Sequence, residues 1–169
     1  MANVTAIPPD EYIIRDATPE DIPTIVRHRL RMFEDMGVAV DTQAVSAAFA
    51  AWLTVHLRSG AYRAWLVQHQ GGIVAGGGIT VLPWPPGPRE LSGRLPIVYN
   101  IYTEPAHRRR GLARAIMQTI HAWCLQTGYR TVGLAASDEG RSLYESLGYR
   151  EPPRPYLFVT LEDAIGSRP

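Results

Sequence analysis

The sequence predicts an α/β chain of the α+β kind, with a mixed, mostly antiparallel central sheet flanked by helices. Three observations predict it. Two β-rich runs, residues 61–68 and 73–82, are separated by little more than Gln70, Gly71 and Gly72, which is a hairpin signal. A later apolar run, 97–103, leads through an arginine-rich loop into an amphipathic helix and then into another β-rich run, a strand–helix–strand crossover. Two further segments with apolar residues at helical spacing precede the hairpin and need a sheet face to cover.

Taken in order, Tyr12 to Arg15 read as a short strand. Thr18, Pro19, Glu20 and Asp21 carry helix-start chemistry, and Pro23, tolerated only in an opening turn, moves the expected cap to Asp21. Ile22, Ile25, Val26, Leu30 and Phe33 then repeat at helical spacing until Gly37. Asp41 caps a second helix, whose apolar face is Val45, Ala48, Phe49, Trp52 and Leu53 and whose stop is Gly60. Inside the second run of the hairpin, the consecutive glycines 76 to 78 predict a bulge or a close approach by another backbone.

Residues 83–96 contain five prolines together with Trp84, Gly87 and Gly93, so a loop is expected in place of a ladder, either a stiff connector or a wall of a substrate pocket. The strand 97–103 follows, then a helix from about Gly111 to Thr127 with Leu112, Ala115, Ile116, Ile120 and Trp123 on its core side and Gly128 at its stop. A strand at Thr131–Ala135, a short helix at Asp138–Leu147 and a last strand at Tyr156–Thr160 complete the order, with a peripheral tail from Leu161. The whole chain, 1–169, reads as one domain with a core of about 12–160.

Bulk properties narrow the function classes. At 46% apolar and 20% charged residues the chain is globular, and a net charge of +1 gives no general reason to expect nucleic acid or an anionic membrane as partner. Cys124 is the single cysteine, so no intrachain disulfide is possible, and its apolar neighbours suit a small buried hydrophobe. The five histidines have no paired spacing, so no metal site is expected. The N-terminus lacks the basic flank and apolar run of a signal peptide, and no stretch reaches the roughly 20 apolar residues of a membrane span, so a cytoplasmic protein is expected. A homodimer is left open.

The cationic signal is local. Pro105 restricts Glu104 to extended geometry and stops the strand, after which Arg108, Arg109, Arg110, Gly111, Leu112 and Ala113 open a helix. Basic residues there oppose the helix dipole at a cost of a few tenths to about 1 kcal/mol, unless an anion is present. The unpaired N–H groups of a first helical turn bind phosphate, Gly111 and Ala113 admit it to the backbone, and arginines supply permanent charge. The segment therefore has the chemistry of a pyrophosphate site, with a solvated basic helix start as the plainer alternative.

This segment resembles the Arg/Gln-x-x-Gly-x-Gly/Ala element with which Gcn5-related N-acetyltransferases (GNATs) bind acetyl-CoA. A second element of that family, roughly Asn-x-x-Ala-x-x-x-Tyr-x-x-x-Gly-Phe, is similar to residues 137–149, with Ser137 for Asn, Gly140 for Ala, Tyr144 and Gly148 in place, and Tyr149 for Phe. The resemblance implies the GNAT fold and an acetyl-CoA-dependent N-acetyltransferase, whose acceptor is a primary amine of a small molecule or peptide. It implies that the pantetheine arm lies along the central strand by Ile101, Tyr102 and Thr103, and that Arg108 to Ala113, Arg114, Ser137 and Tyr144 border the cofactor. The thioester then falls near Asn100 and Ile101, where a backbone N–H polarises its carbonyl.

Transfer to an amine needs a proton for the departing thiolate and a base for the ammonium. Tyr144 holds the family's tyrosine position and, with a phenol pKa of about 10, carries a proton to give at neutral pH. Glu104 is the candidate base, or else a brace for the arginine loop. Asn100, polar within an apolar strand, either orients substrate or water or holds neighbouring strands apart. His107 lies on the phosphate side, where anion binding or solvation suits it better than proton abstraction. Glu34 and Asp35 end the first helix, where the resemblance puts the acceptor side, and Trp84 stands in the candidate pocket loop. The alternative function is a non-catalytic CoA- or acyl-CoA-binding sensor. A nucleotide-hydrolysing phosphate loop is excluded because the required Gly-Lys-Ser/Thr ending is absent.

Overall fold

Period-2 alternation along Tyr62–His69 puts Tyr62, Ala64 and Leu66 on one face and Trp65 and Val67 on the other, and all five are buried, so this strand is covered on both sides. The computed structural model describes residues 12–88, 90–153, 158 and 160. They fall into two compact units, one up to Ala135 and one from Ala136.

The first unit holds a five-stranded sheet in chain order, β1 (Ile13–Asp16), β2 (Tyr62–His69), β3 (Gly72–Pro83), β4 (Arg94–Thr103) and β5 (Gly133–Leu134). Successive pairs are antiparallel except β4 with β5, which is parallel and joined through a helix. Three helices accompany the sheet: α1 (Ile22–Asp35), α2 (Thr42–Ser59) and α3 (Leu112–Gln126). The expected mixed, mostly antiparallel sheet with flanking helices is the one observed.

One face carries α1 and α2, whose Ile25, Val26 and Leu53 form a buried cluster with Tyr62, Ala64 and Leu66 of β2. The start of α1 is tied down by Asp21, which accepts the Thr18 N–H at 2.8 Å and both ends of the Arg15 guanidinium at 2.8 Å. That guanidinium holds the buried Asp21 carboxyl below the usual carboxylate range. α2 begins as expected at Asp41, whose carboxylate accepts the Ala44 N–H at 2.9 Å. The other face carries α3, with Leu112, Ile116, Met117, Ile120 and Cys124 buried and Trp123 6.0 Å from Trp65.

The three glycines of β3 serve close packing on both faces. A Cβ at Gly78 would collide with the Tyr62 ring and one at Gly76 would stand 2.7 Å from Leu66, whereas one at Gly77 would stand 3.0 Å from Ile116 on the α3 side.

Two expectations are corrected. The ladder of β3 with β4 continues into the proline-rich stretch, through Val81↔Pro96 and Pro83↔Arg94, and the Trp84 N–H donates to Gly93 at 2.8 Å. Antiparallel pairs alternate in hydrogen bonding, so the Trp84–Gly93 bond leaves Pro83 and Pro96 at positions that need no N–H toward the partner strand. The strand expected over 131–135 is only the two residues Gly133 and Leu134. The expected last strand, Tyr156–Thr160, and the tail from Leu161 fall largely outside the described residues.

The second unit contains α4 (Asp138–Ser146), capped by Ser137, whose hydroxyl accepts the Gly140 N–H at 3.2 Å. Arg141 pairs there with Glu151 at 2.8 Å.

Candidate active site

The centre of the first unit is a break in β4. Tyr99 pairs with Gly78 and Tyr102 with Gly76, so Asn100 and Ile101 together oppose Gly77, a β-bulge. Asn100 takes the left-handed conformation, φ 59°, which asparagine tolerates better than most residues. Its buried carboxamide is satisfied at both ends: Nδ2 donates to the Tyr62 hydroxyl at 3.0 Å and Oδ1 accepts from Arg29 of α1. Burial pushes the Tyr62 phenol up to about 12, so it stays protonated.

On its other side β4 pairs with β5 only at Ile97↔Gly133 and Val98↔Leu134. Among the described residues of this unit no strand lies alongside Tyr99 to Thr103 on that side, and β4 presents there an edge able to take an extended chain by strand addition. Ile101 packs toward Gly77, Tyr102 is buried and Thr103 half-buried along that stretch.

The open edge runs into the arginine loop. The Glu104 N–H donates to Val74 at 2.8 Å, a 3₁₀ turn follows at Pro105–His107, and left-handed Arg109 (φ 59°) and Gly111 (φ 81°) turn the chain into α3. The N-cap residue is Gly111, which has no side chain to cap that helix, Arg109 and Arg110 are exposed, and Ala113 and Arg114 are half-buried. An uncapped helix start behind two left-handed residues suits an oxyanion. Arg108 is already engaged by β4 and α1: Nε donates to the Thr103 carbonyl at 3.0 Å, the guanidinium lies 5.7 Å from the Tyr102 ring centroid, and Nη2 pairs with Asp35. His107 is 3.0 Å from the Tyr12 hydroxyl and edges onto His69, in an aromatic cluster at the base of the loop.

Glu104 closes a polar cluster that the sequence reading missed. Its carboxylate meets Arg27 at 3.1 Å, His28 Nε2 at 3.3 Å and the Tyr102 hydroxyl at 3.5 Å. His28 is buried under Tyr102, and burial lowers its pKa from 6.5 to about 4, against the opposing pull of Glu104. Burial also raises the Tyr102 phenol. The available signal was position: His28 lies three residues after Ile25 on the apolar stripe of α1, so it had to face the sheet.

The candidate acceptor residues do not converge. Asp35 is held at the Thr103 end of β4 by Arg108, and exposed Glu34 pairs with Arg31 at 2.8 Å. Trp84 is bonded to Gly93 just beyond the other end of β4, roughly 30 Å away along a ten-residue strand.

In the second unit Tyr144 is half-buried on α4, with its ring 5.9 Å from that of Tyr149. A Cβ at Gly140 would come within 2.8 Å of the Tyr144 ring, which accounts for glycine where the resemblance expects alanine. Burial raises the Tyr144 phenol above its usual 10 and keeps it protonated at neutral pH.

Among the described residues no three or more His, Cys, Asp or Glu side chains are grouped to hold a metal ion. Cys124 is buried and its thiol is pushed up to about 11, which keeps it protonated. No helix among the described residues is long and apolar enough to cross a membrane.

A family model described as acetyltransferase (GNAT) domain matches residues 60–151. No curated protein matches the chain. Among solved structures, a GCN5-related N-acetyltransferase from Ralstonia eutropha JMP134 is 29% identical, with a TM-score of 0.80 over 88% of this chain and 98% of that one. A predicted acetyltransferase with acetyl-CoA from Clostridium acetobutylicum is 23% identical, with a TM-score of 0.83 over 90% and 97%. An aminoglycoside acetyltransferase from an uncultured soil metagenomic sample shares the fold at 19% identity, with a TM-score of 0.67 over 88% and 98%.

Proposed function

The chain belongs to the GNAT acetyltransferase family, and from that premise we propose that it transfers the acetyl group of acetyl-CoA directly to a primary amine of a small molecule or peptide, as a cytoplasmic enzyme. The observation that carries this reading is the continuity of three features: the left-handed bulge at Asn100, the open edge of β4 after Val98, and the uncapped start of α3.

Acetyl-CoA supplies an activated acyl thioester. The chain supplies its seating. Backbone groups of Ile101, Tyr102 and Thr103 pair with the pantetheine arm as an added strand would. The first N–H groups of α3, reached past Gly111, Leu112 and Ala113, take the pyrophosphate, with Arg108, Arg109, Arg110 and Arg114 as surrounding charge. Ser137 borders the cofactor from α4. Asn100 holds the bulge that presents a backbone N–H to the carbonyl.

Glu104 accepts the ammonium proton, directly or through water. The amine nitrogen bonds to the acyl carbon, the carbon–sulfur bond breaks, Tyr144 protonates the departing sulfur, and the second proton that the new amide nitrogen sheds returns through water to the Tyr144 phenolate. Glu34 and Asp35, at the Thr103 end of β4, bound the acceptor side, and Trp84 at the far end of the strand takes no part in it. Since Arg31 and Arg108 already pair with the two acids, an incoming ammonium has to share or displace an arginine there.

Release of free CoA thiol across an amine panel, run beside calorimetry of acetyl-CoA binding, tests the reading. Thiol release that depends on one class of amine is expected. Binding without release for any amine would instead identify a CoA-binding sensor.

A further inference from the structure

Three arginines around the acceptor side of β4 meet carboxylates: Arg27 meets Glu104, Arg31 meets Glu34 and Arg108 meets Asp35. Arg29 does not. It sits on α1 between Arg27 and Arg31, is half-buried, and pairs with no carboxylate among the described residues. Its guanidinium lies over two aromatic rings, 4.9 Å from the centroid of Phe33 and 4.7 Å from that of Phe49 on α2, and one Nη1–H donates to Oδ1 of Asn100.

This is an incomplete arrangement for a permanent cation. Guanidinium has five N–H donors and stays charged in proteins. Ring contacts use its face and its charge but none of those donors in the plane. Desolvation without an opposite charge is unfavourable, and here burial already lowers the pKa of the group. Bracing Asn100 requires one donor, and an uncharged side chain would serve for that. What a planar fork adds is bidentate recognition of a planar anion. The place is specific as well, because the Asn100 bulge is where the proposed function puts the acyl group.

We propose that Arg29 binds the carboxylate of the acceptor, so that the acceptor is a small amino acid whose primary amine lies within a few bonds of its carboxylate, with Phe33 and Phe49 as the apolar wall beside it. The inference rests on the acetyl-transfer reading. A carboxylate on the guanidinium that braces Asn100 leaves the amine of the same small molecule within reach of the bulge, and it supplies the charge partner that Arg29 lacks among the described residues.

The test uses the full chain with acetyl-CoA and three sets of acceptors: glycine, L-leucine, L-phenylalanine and β-alanine; the amides of the same four; and phosphoethanolamine. The quantity read is the ratio of kcat/KM for each acid over its amide. It should exceed about tenfold, since charged hydrogen bonds are at stake. Arg29→Gln should bring the ratio toward one, and Arg29→Lys, which keeps charge and loses the fork, should fall between. Calorimetry should show N-acetyl-leucine binding the CoA-loaded protein more tightly than N-acetyl-leucinamide, with the difference absent in Arg29→Gln.

An equal or higher rate with amides overturns the proposal, as does an Arg29→Gln variant that loses acid and amide alike, the signature of a brace for Asn100. A preference for phosphoethanolamine overturns the carboxylate assignment. Acetyl-CoA binding with no thiol release from any amine overturns the acetyl-transfer reading, and this inference with it.

Discussion

His28 and Glu104 meet between α1 and the end of β4, Nε2 to Oε1 at 3.3 Å, with the imidazole buried and the carboxylate half-buried. Burial outweighs the carboxylate, so the folded-state pKa of His28 is about 4 against 6.5 in the unfolded chain. Between those values the unfolded chain binds the extra proton, and stability must rise with pH there. The His28 contribution is full above pH 6.5 and is lost as pH falls toward 4, by about 3 kcal/mol at most. Thermal unfolding followed from pH 4 to 7.5 should show that slope, and His28→Gln should flatten it. A variant with the parent slope would show that His28 is charged in the fold.

Gly78 and Tyr62 make a second dependence. Tyr62 is fully buried, its hydroxyl fixes the Asn100 carboxamide, and its ring occupies the space where a Cβ on Gly78 would be. Gly78→Ala should cost about 1–3 kcal/mol through overpacking, read by urea denaturation. A cost below about 0.5 kcal/mol would mean that the ring moves aside freely.

Local signals carried most of the fold. Asp41, Gln70-Gly71 and the apolar stripes of α1 and α3 sit where capping, turn and periodicity rules put them. The proline-rich stretch misled because the rule against proline in a ladder applies only to positions that must donate, and a register is needed to know which those are. Of the candidate site, what was legible is the local geometry of one continuous stretch, from Asn100 to Arg114. The His28–Glu104 pair and the Arg29–Asn100–Tyr62 chain were not, because each joins α1 to β4 or β2, and only the packing of helix on sheet brings them together.

Asp35 ties the end of α1 to the arginine loop through Arg108. Asp35→Asn removes a negative charge beside the proposed pyrophosphate site and frees a guanidinium, and both changes favour a bound anion. The pair is partly exposed and worth no more than about 1 kcal/mol, so the CoA Kd should fall by up to about fivefold. Glu34→Gln, whose partner Arg31 lies outside the loop, should leave CoA affinity alone. Equal effects from both substitutions in calorimetry would remove the special role of the Asp35–Arg108 link.

Gly111 is both left-handed and next to the uncapped helix start. Gly111→Glu adds bulk and negative charge where the pyrophosphate is proposed to lie, and CoA affinity should fall at least tenfold, about 1.4 kcal/mol. Gly111→Asn separates the causes, since asparagine tolerates the left-handed backbone without adding charge. It should weaken binding less. Unchanged affinity in a folded Gly111→Glu variant would move the CoA site elsewhere.

Tyr144→Phe keeps the ring that fills the space over Gly140 and deletes only the hydroxyl, so the packing of α4 should survive. If the phenol protonates the departing sulfur, turnover should drop by roughly 100- to 10,000-fold under conditions where chemistry limits the rate, while the CoA Kd changes little. The pH profile offers a second check. Burial raises this phenol above 10, so the donor stays protonated through neutral pH and the alkaline fall in kcat should begin above the value of an exposed tyrosine. In Tyr144→Phe that alkaline limb should vanish from the residual activity. Near-parental turnover with the limb intact would leave Tyr144 as a packing residue of α4, and the proton for the thiolate would have to come from water.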